Sequence, residues 1–442
     1  MRRAVFLVLA LMVACSLVVA PRERSGLSFP PRLPGNQERV TDRSAAMLRP
    51  PPGLQQLAVA KEPPSVDLVY YPGQDYEGDP WSAWGDGLAL RGHYYSSIGD
   101  HRAPEGNAGL YDYDGKRLRK VVDVRSLLKR PAGHYTPGKI HSRIDAGSDG
   151  WLYFSTHRGG TKVTKRAESH FEGDWILRYH PQTGKAEIVA EAPAPKRNLP
   201  ASVVDPKRLL FYAGASDGLN ESEPGLLVYD LARRRRVLLD PKGPYRCLML
   251  SRRSGRVYFH TAKEGPAELY RYDPGSPGRV TRLPVRMGAR AATEESSAGT
   301  IYAADEGQLW AFDTAAETAR ALDSLLVGEQ KYVASLDLDP AERFLYYIPG
   351  AHGGSYKDGA PIVQYDLRKR SRKVLAFLHP YYQEKYSIVF TGTYSSALSP
   401  EGDKLYVTWN VARVPKGQSA SKKTQADSCA LTVIHIPASE RQ

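Results

Sequence analysis

The chain has 442 residues, of which 41% are hydrophobic and 25% charged, with 61 Lys and Arg against 48 Asp and Glu. That apolar share excludes wholesale disorder, a lone long apolar run excludes a polytopic membrane protein, and three cysteines exclude a disulfide scaffold. The net charge of +13 reads either as a solvated basic surface or as complementarity to an acidic partner.

At the N-terminus, Arg2 and Arg3 precede the apolar stretch Ala4 to Ala14, a charged region followed by a hydrophobic one of signal length. Met12-Val13-Ala14-Cys15 is similar to a bacterial lipobox, which implies lipidation at Cys15. Soluble export and an uncleaved anchor stay open beside it. Residues 1–20 are thus a targeting segment, and membrane contact is expected only through it. Residues 21–64 hold nine prolines and no apolar period, so they read as a disordered, extended tether.

From residue 65 a short pattern recurs: apolar, two variable positions, an aromatic or apolar residue, then Asp or His. The copies are Leu110–Asp114, Ile176–His180, Leu226–Asp230, Leu269–Asp273, Leu309–Asp313, Ile362–Asp366 and Leu431–His435. Their spacing of roughly 40 to 70 residues is the propeller-blade range with insertions. Each of the first six copies is followed by a polar turn and a second apolar run, and hairpins precede the copies. Four strands per unit, seven times over, predict an all-β chain folded as a seven-bladed β-propeller of four-stranded antiparallel blades over residues 65–437. Blade seven ends without an outer strand, and Val66 to Tyr71 is predicted to fill that place and close the ring. A six-bladed ring or a pair of β-sandwiches are the competing folds.

The expected topology sorts residues onto two faces. Basic turns such as Arg233–Arg236 and Arg368–Arg370 fall at the outer rim, where charge protects exposed edges. No aromatic interleaving accompanies them, which argues against nucleic acid. Long loops cluster on the opposite, top face in blades six, seven, one and two, and such loops carry function. His101, His134, His141, His157, His352 and His379 map to that face, whereas His180 and His435 occupy the repeat's Asp position and read as structural.

Imidazoles from different blades converging on a channel predict a site for one divalent metal ion, with His141, His157 and His352 as ligands and His134, His379 or Gln330 as further candidates. The alternative is that these histidines bond loop backbone or line a wet channel. His101, His134, Arg246, His379, Tyr394 and Trp409 are the expected ligand contacts. Aromatics there stack on sugar rings or anchor proteins, or else pack between blades.

The seven-unit pattern resembles exported bacterial propellers of the lactonase, quinoprotein and gluconolactonase-like superfamilies. More distantly it resembles oligogalacturonate lyases, in which three histidines and a glutamine hold a divalent metal. The resemblance implies a metal-dependent lyase or hydrolase acting on a small acidic or carbohydrate ligand. Arg290 or the metal would neutralise a carboxylate, His157, Lys139 or Lys357 would take a proton, and Arg158 would hold a second carboxylate. The other reading is a non-catalytic binding or scaffold propeller for glycan or protein partners.

Overall fold

The computed structural model describes residues 30–74, 81–102, 106–160, 162–216, 224–421 and 424–442. The targeting segment and Cys15 lie outside the described residues. Seven antiparallel sheets follow one another along the chain, each with four strands from the axis outward, as the repeat predicts. Blade three is a regular example: Asn198–Asp205 is innermost, followed by Leu210–Ser216, Gly225–Asp230 and Arg235–Asp240. In blades one and two the inner strand is broken into short pieces, Trp81–Ser82 with Leu88–Leu90, and Lys139–Ile140 with Asp145–Ala146.

A four-stranded sheet exposes two apolar faces, and the ring buries both. Seven apolar clusters each take side chains from two adjacent blades. Leu226 and Val228 of blade three, for example, pack with Val257 and Phe259 of blade four, all of them inaccessible to solvent. This two-sided burial explains third strands that are buried at every position, such as Pro361–Asp366. A strand solvated on one face would alternate instead.

The Asp of the repeat has a local job. Asp230 accepts the backbone N–H of Arg233 at 2.8 Å, Asp313 those of Ala315 and Ala316 at 2.9 Å, and Asp366 those of Arg368 and Lys369 at 2.9 Å. The carboxylate organises the turn to the outer strand. Four residues on, Arg234, Glu317 and Arg370 sit in the left-handed region at φ 49°, 53° and 53°. Gly184 takes that position after His180, where a residue without Cβ adopts it at no steric cost. The basic turns find local acids: Arg233 pairs with Asp230 at 2.8 Å, and Arg370 with Asp323 of the neighbouring blade at 2.8 Å.

Blade seven is completed from the other end of the chain. Ser65–Tyr70 pairs with Ser428–His435, from Ser65 opposite His435 to Tyr70 opposite Ala430. No turn joins these two strands, so the Asp of the motif is not needed there. His435 instead bonds Asp67 of the closing strand at 2.9 Å. The Tyr71 hydroxyl lies 2.6 Å from Ser96 of blade one and 2.6 Å from Thr408 of blade seven, tying the seam.

Residues 30–64 correct the expectation of a disordered tether. Val40–Asp42 adds a fifth strand outside Ser65–Tyr70. Leu33, Val40, Met47 and Ala60 are buried in the cluster between blades six and seven. Ala60 donates to the Val374 carbonyl at 2.9 Å, and Val374 donates back to Ala58 at 2.9 Å. The segment lacks an apolar period because it is a strap: its anchors are single residues set between prolines, each dropping into a separate gap. Among the described residues no helix is long and apolar enough to cross a membrane.

Candidate functional site: a cationic cavity at the channel mouth

The inner strands run along the channel with a two-residue period, so alternate side chains face the axis. Four inner segments form such ladders, with Trp84 and Asp86 in blade one, His141 and Arg143 in blade two, Arg246 and Leu248 in blade four, and Arg290 and Ala292 in blade five, and the intervening Cys247 and Ala291 also reach the channel. Tyr394 and Ser396 of blade seven follow the same spacing. At the top the ladders open into a cavity of about 570 Å³, walled by Trp84, His101, Lys139, His141, Arg246 and His352, with Arg102 and Gly160 completing it. A recess of about 440 Å³ beneath the blade-six loop shares Trp84, His101, Arg102 and His352, and adds Tyr332 and Tyr394. Below, the channel narrows to about 50 Å³ between Asp86, Arg143 and their neighbours.

The wall is a set of cations laid on aromatic faces. The Lys139 ammonium nitrogen lies 3.8 Å from the centre of the Trp84 ring. The Arg290 guanidinium lies 5.0 Å from Tyr332 and 5.9 Å from Tyr394, and its Nε donates to the Tyr332 hydroxyl. Tyr332 stacks on His352 with centroids 4.2 Å apart, and Trp84 packs on Tyr394 at 4.7 Å. The Trp84 indole donates to Ser82, whose hydroxyl also lies 2.7 Å from His101 Nδ1. Among the described residues no carboxylate lines the cavity of about 570 Å³.

That imbalance governs protonation. Burial, then Arg246, His157, Lys139 and Arg290, hold His141 well below the ordinary histidine range. His352 is pulled down to about 4 by burial, then Arg290, Arg246 and Lys139. Burial followed by Arg246 and Arg158 holds Lys139 well below the ordinary lysine range. At the channel waist the sign reverses: burial raises the Asp86 carboxyl to about 7, against the pull of Arg143, and Asp86 accepts a hydrogen bond from Ser335 at 2.6 Å. Arg143 lies 3.5 Å from Asp145.

Of the residues expected in the site, the fold brings His101, His141, His352, Arg246, Arg290 and Tyr394 to the mouth or the channel just below it. Others stand elsewhere. His157 is 1% exposed, one layer behind His141 with ring centroids 5.3 Å apart, because its strand lies outside the inner one. Arg158 is also 1% exposed and acts electrostatically on Asp174, which accepts from Tyr135 at 2.9 Å and Thr156 at 2.7 Å. His134 stacks on His170 at 4.3 Å and does not line the cavity. His379 sits behind Tyr356, with ring centroids 5.8 Å apart. Trp409 is core: fully buried, packed on Phe390 at 4.9 Å, with its indole donating to Thr432 at 2.8 Å. Cys247 and Cys429 carry free thiols.

The side chains do not fit the expected divalent ion. His141 Nδ1 bonds the Pro200 carbonyl at 2.8 Å, and its Nε2 faces Arg246 at 3.2 Å, so both ring nitrogens are committed. Among the described residues no group of three His, Cys, Asp or Glu side chains has ligating geometry. A mouth ringed by guanidinium and ammonium groups repels a cation.

Arg102, Tyr332, Asp86 and Arg143 are site or channel residues that motif reading misses. The signal for three of them is the inner-strand alternation itself, in WSAWGD, KIHSR and KYVASLD, where every second residue faces the axis.

These features define a seven-bladed propeller with a cationic, aromatic-walled cavity at one end of its channel. No family model and no curated protein matches the chain. Among solved structures it is similar to a chain described as the extracellular domain of a one-component system from B. thetaiotaomicron, at 14% identity and a TM-score of 0.50. That likeness covers 82% of this chain and 39% of the neighbour's own length, and it shows the fold alone. Weaker likenesses reach a chain of the mitotic checkpoint complex at 10% identity, 94% and 99% coverage and TM-score 0.48. Kuenenia stuttgartiensis hydrazine synthase follows at 13% identity, 64% and 79% coverage and TM-score 0.45.

Proposed function

We propose that this protein is an exported propeller, held at a membrane only through its N-terminus, that binds a small acidic ligand in the cavity at the channel mouth. The observation that carries this reading is the meeting of Lys139 and Arg246 in a cavity with no described carboxylate in its wall, with Arg290 in the channel just below. A buried lysine beside a half-buried arginine, with no carboxylate in the cavity wall, is costly, and an anionic ligand offsets that cost. Trp84 in the cavity wall offers apolar contact to a sugar ring, which favours an acidic sugar over an inorganic anion. The His352 imidazole, held down to about 4, supplies a hydrogen bond without adding charge.

The test is isothermal titration of the full chain with glucuronate, with glucose, and with the methyl ester of glucuronate. The acid is expected to bind, and each neutral congener to bind at least about tenfold more weakly, since charge-assisted hydrogen bonds contribute about 1.5–3 kcal/mol. Equal affinity for acid and ester would refute the reading.

A further inference from the structure

Lys139 is the odd member of the cation set. A buried lysine normally faces a carboxylate, yet among the described residues it makes no ion pair, and only 4% of it is exposed. It stands on the innermost strand of blade two and lines the cavity between Trp84 and Arg246. Resting on the acidic-ligand reading, we propose that Lys139 is a nucleophilic amine that captures the carbonyl carbon of an oxo acid as an imine, with the acid group held by Arg246.

The parts needed are all in the wall. Arg246 has N–H donors beyond the one directed at His141 Nε2, and a guanidinium presents them as a fork that suits a carboxylate. The Lys139 nitrogen lies on the face of Trp84, 3.8 Å from the ring centre, so the indole limits its approach on one side and leaves the cavity on the other. The indole face favours the ammonium form. Burial and the Arg246 and Arg158 charges oppose it, so a larger share of Lys139 than of an ordinary lysine carries the nucleophilic lone pair, the rest being the cation.

The chemistry balances without a redox partner. The Lys139 lone pair forms the N–C bond as the carbonyl π pair moves to oxygen. A proton passes from nitrogen to that oxygen, giving a carbinolamine. The lone pair that this transfer restores to nitrogen then forms C=N as the C–O bond breaks, and the departing hydroxide takes the remaining N–H proton and leaves as water. The same steps in reverse release the oxo acid.

The full chain is incubated with glyoxylate at about pH 7, where an ordinary lysine is almost wholly protonated. Borohydride then reduces any imine to a stable amine, and peptide mass spectrometry locates it. The expected result is a carboxymethyl group on Lys139 at least about tenfold above any other lysine, lost in Lys139→Met and lowered about tenfold in Arg246→Gln, matching one lost charge-assisted bond. Arg246→Gln keeps the test alive if Lys139→Met does not fold. Labelling spread over exposed lysines, or unchanged by Arg246→Gln, overturns the proposal. Glycolate, which has the acid group but no aldehyde or ketone carbonyl, separates the two claims. If glycolate binds by titration and no adduct forms on Lys139, the imine proposal falls and the acidic-ligand reading stands. If neither acid binds while glucuronate does, the imine proposal falls alone, and if glucuronate fails as well, the acidic-ligand reading falls and the imine proposal with it.

Discussion

The Arg246 guanidinium lies 3.2 Å from His141 Nε2, and that contact decides the state of the imidazole. Nδ1 donates to the Pro200 carbonyl at 2.8 Å, so Nε2 carries the lone pair that accepts from Arg246. A proton on Nε2 would meet a guanidinium head-on. Arg246→Gln removes the largest charge that holds His141 down, so its imidazole is expected to titrate at higher pH than in the wild type. Nuclear magnetic resonance of the His141 ring checks this, and an unmoved or lowered titration would contradict it.

Stability should respond to pH in two opposing ways across one window. His352 and His379 titrate at about 4 when folded, against about 6.5 when unfolded. The unfolded chain therefore takes up more protons at these sites, and they lose stability as pH falls from about 6.5 to about 4. Asp86 and Asp337 titrate at about 7 and about 6 when folded, against about 3.9 unfolded, so they lose stability as pH rises through that range. Urea midpoints followed against pH should therefore change slope in opposite directions in His352→Gln and Asp86→Asn. Parallel changes in the two variants would be inconsistent with these assignments.

Trp409→Ala is expected to cost about 3–5 kcal/mol of stability, the range for an aromatic side chain deleted from a packed core. Its ring fills the space between blades six and seven against Phe390 and is fully buried. Ligand affinity, measured well below the unfolding temperature, should stay within about twofold of wild type, because surface and core changes remote from a site add nearly independently. A stable variant that no longer binds would mean that Trp409 belongs to the site.

The strap gives a similar forecast at the other end of the chain. Met47 is fully buried among residues of blades six and seven. Met47→Ala is expected to destabilise by about 2–5 kcal/mol. Denaturation that leaves the midpoint unmoved would show that residues 30–64 are bound too loosely to matter.

Much of the architecture was readable before any coordinates. The third-strand motif repeats because each copy meets the same local demand: a strand buried on both faces, then a turn held by its Asp, as at Asp230 and Asp366. Closure by Val66 to Tyr71 was readable because a strand was missing at one end and one was spare at the other. The strap was not readable. Leu33, Val40, Met47 and Ala60 have no period, since each anchors in a gap formed by residues hundreds of positions away.

The site divided along the same line. Placing His101, His141 and His352 near one mouth required only topology, because loop order and strand direction put them on one face. Whether a side chain reaches the axis depends on which strand of the blade carries it, which separates His141 of the inner segment, in the wall, from His157 of the next strand, behind it. Trp409 and Arg158 failed as site residues for that reason. The balance of charge left only a local trace: residues 124–144 around Lys139 and 241–263 around Arg246 hold no Asp or Glu, but only packing around the ring keeps described carboxylates of other blades out of their cavity. Repetition of local chemistry sufficed to specify a closed seven-fold ring, whereas the character of its mouth arose from side chains brought together across blades, where distance along the chain says nothing about distance in space.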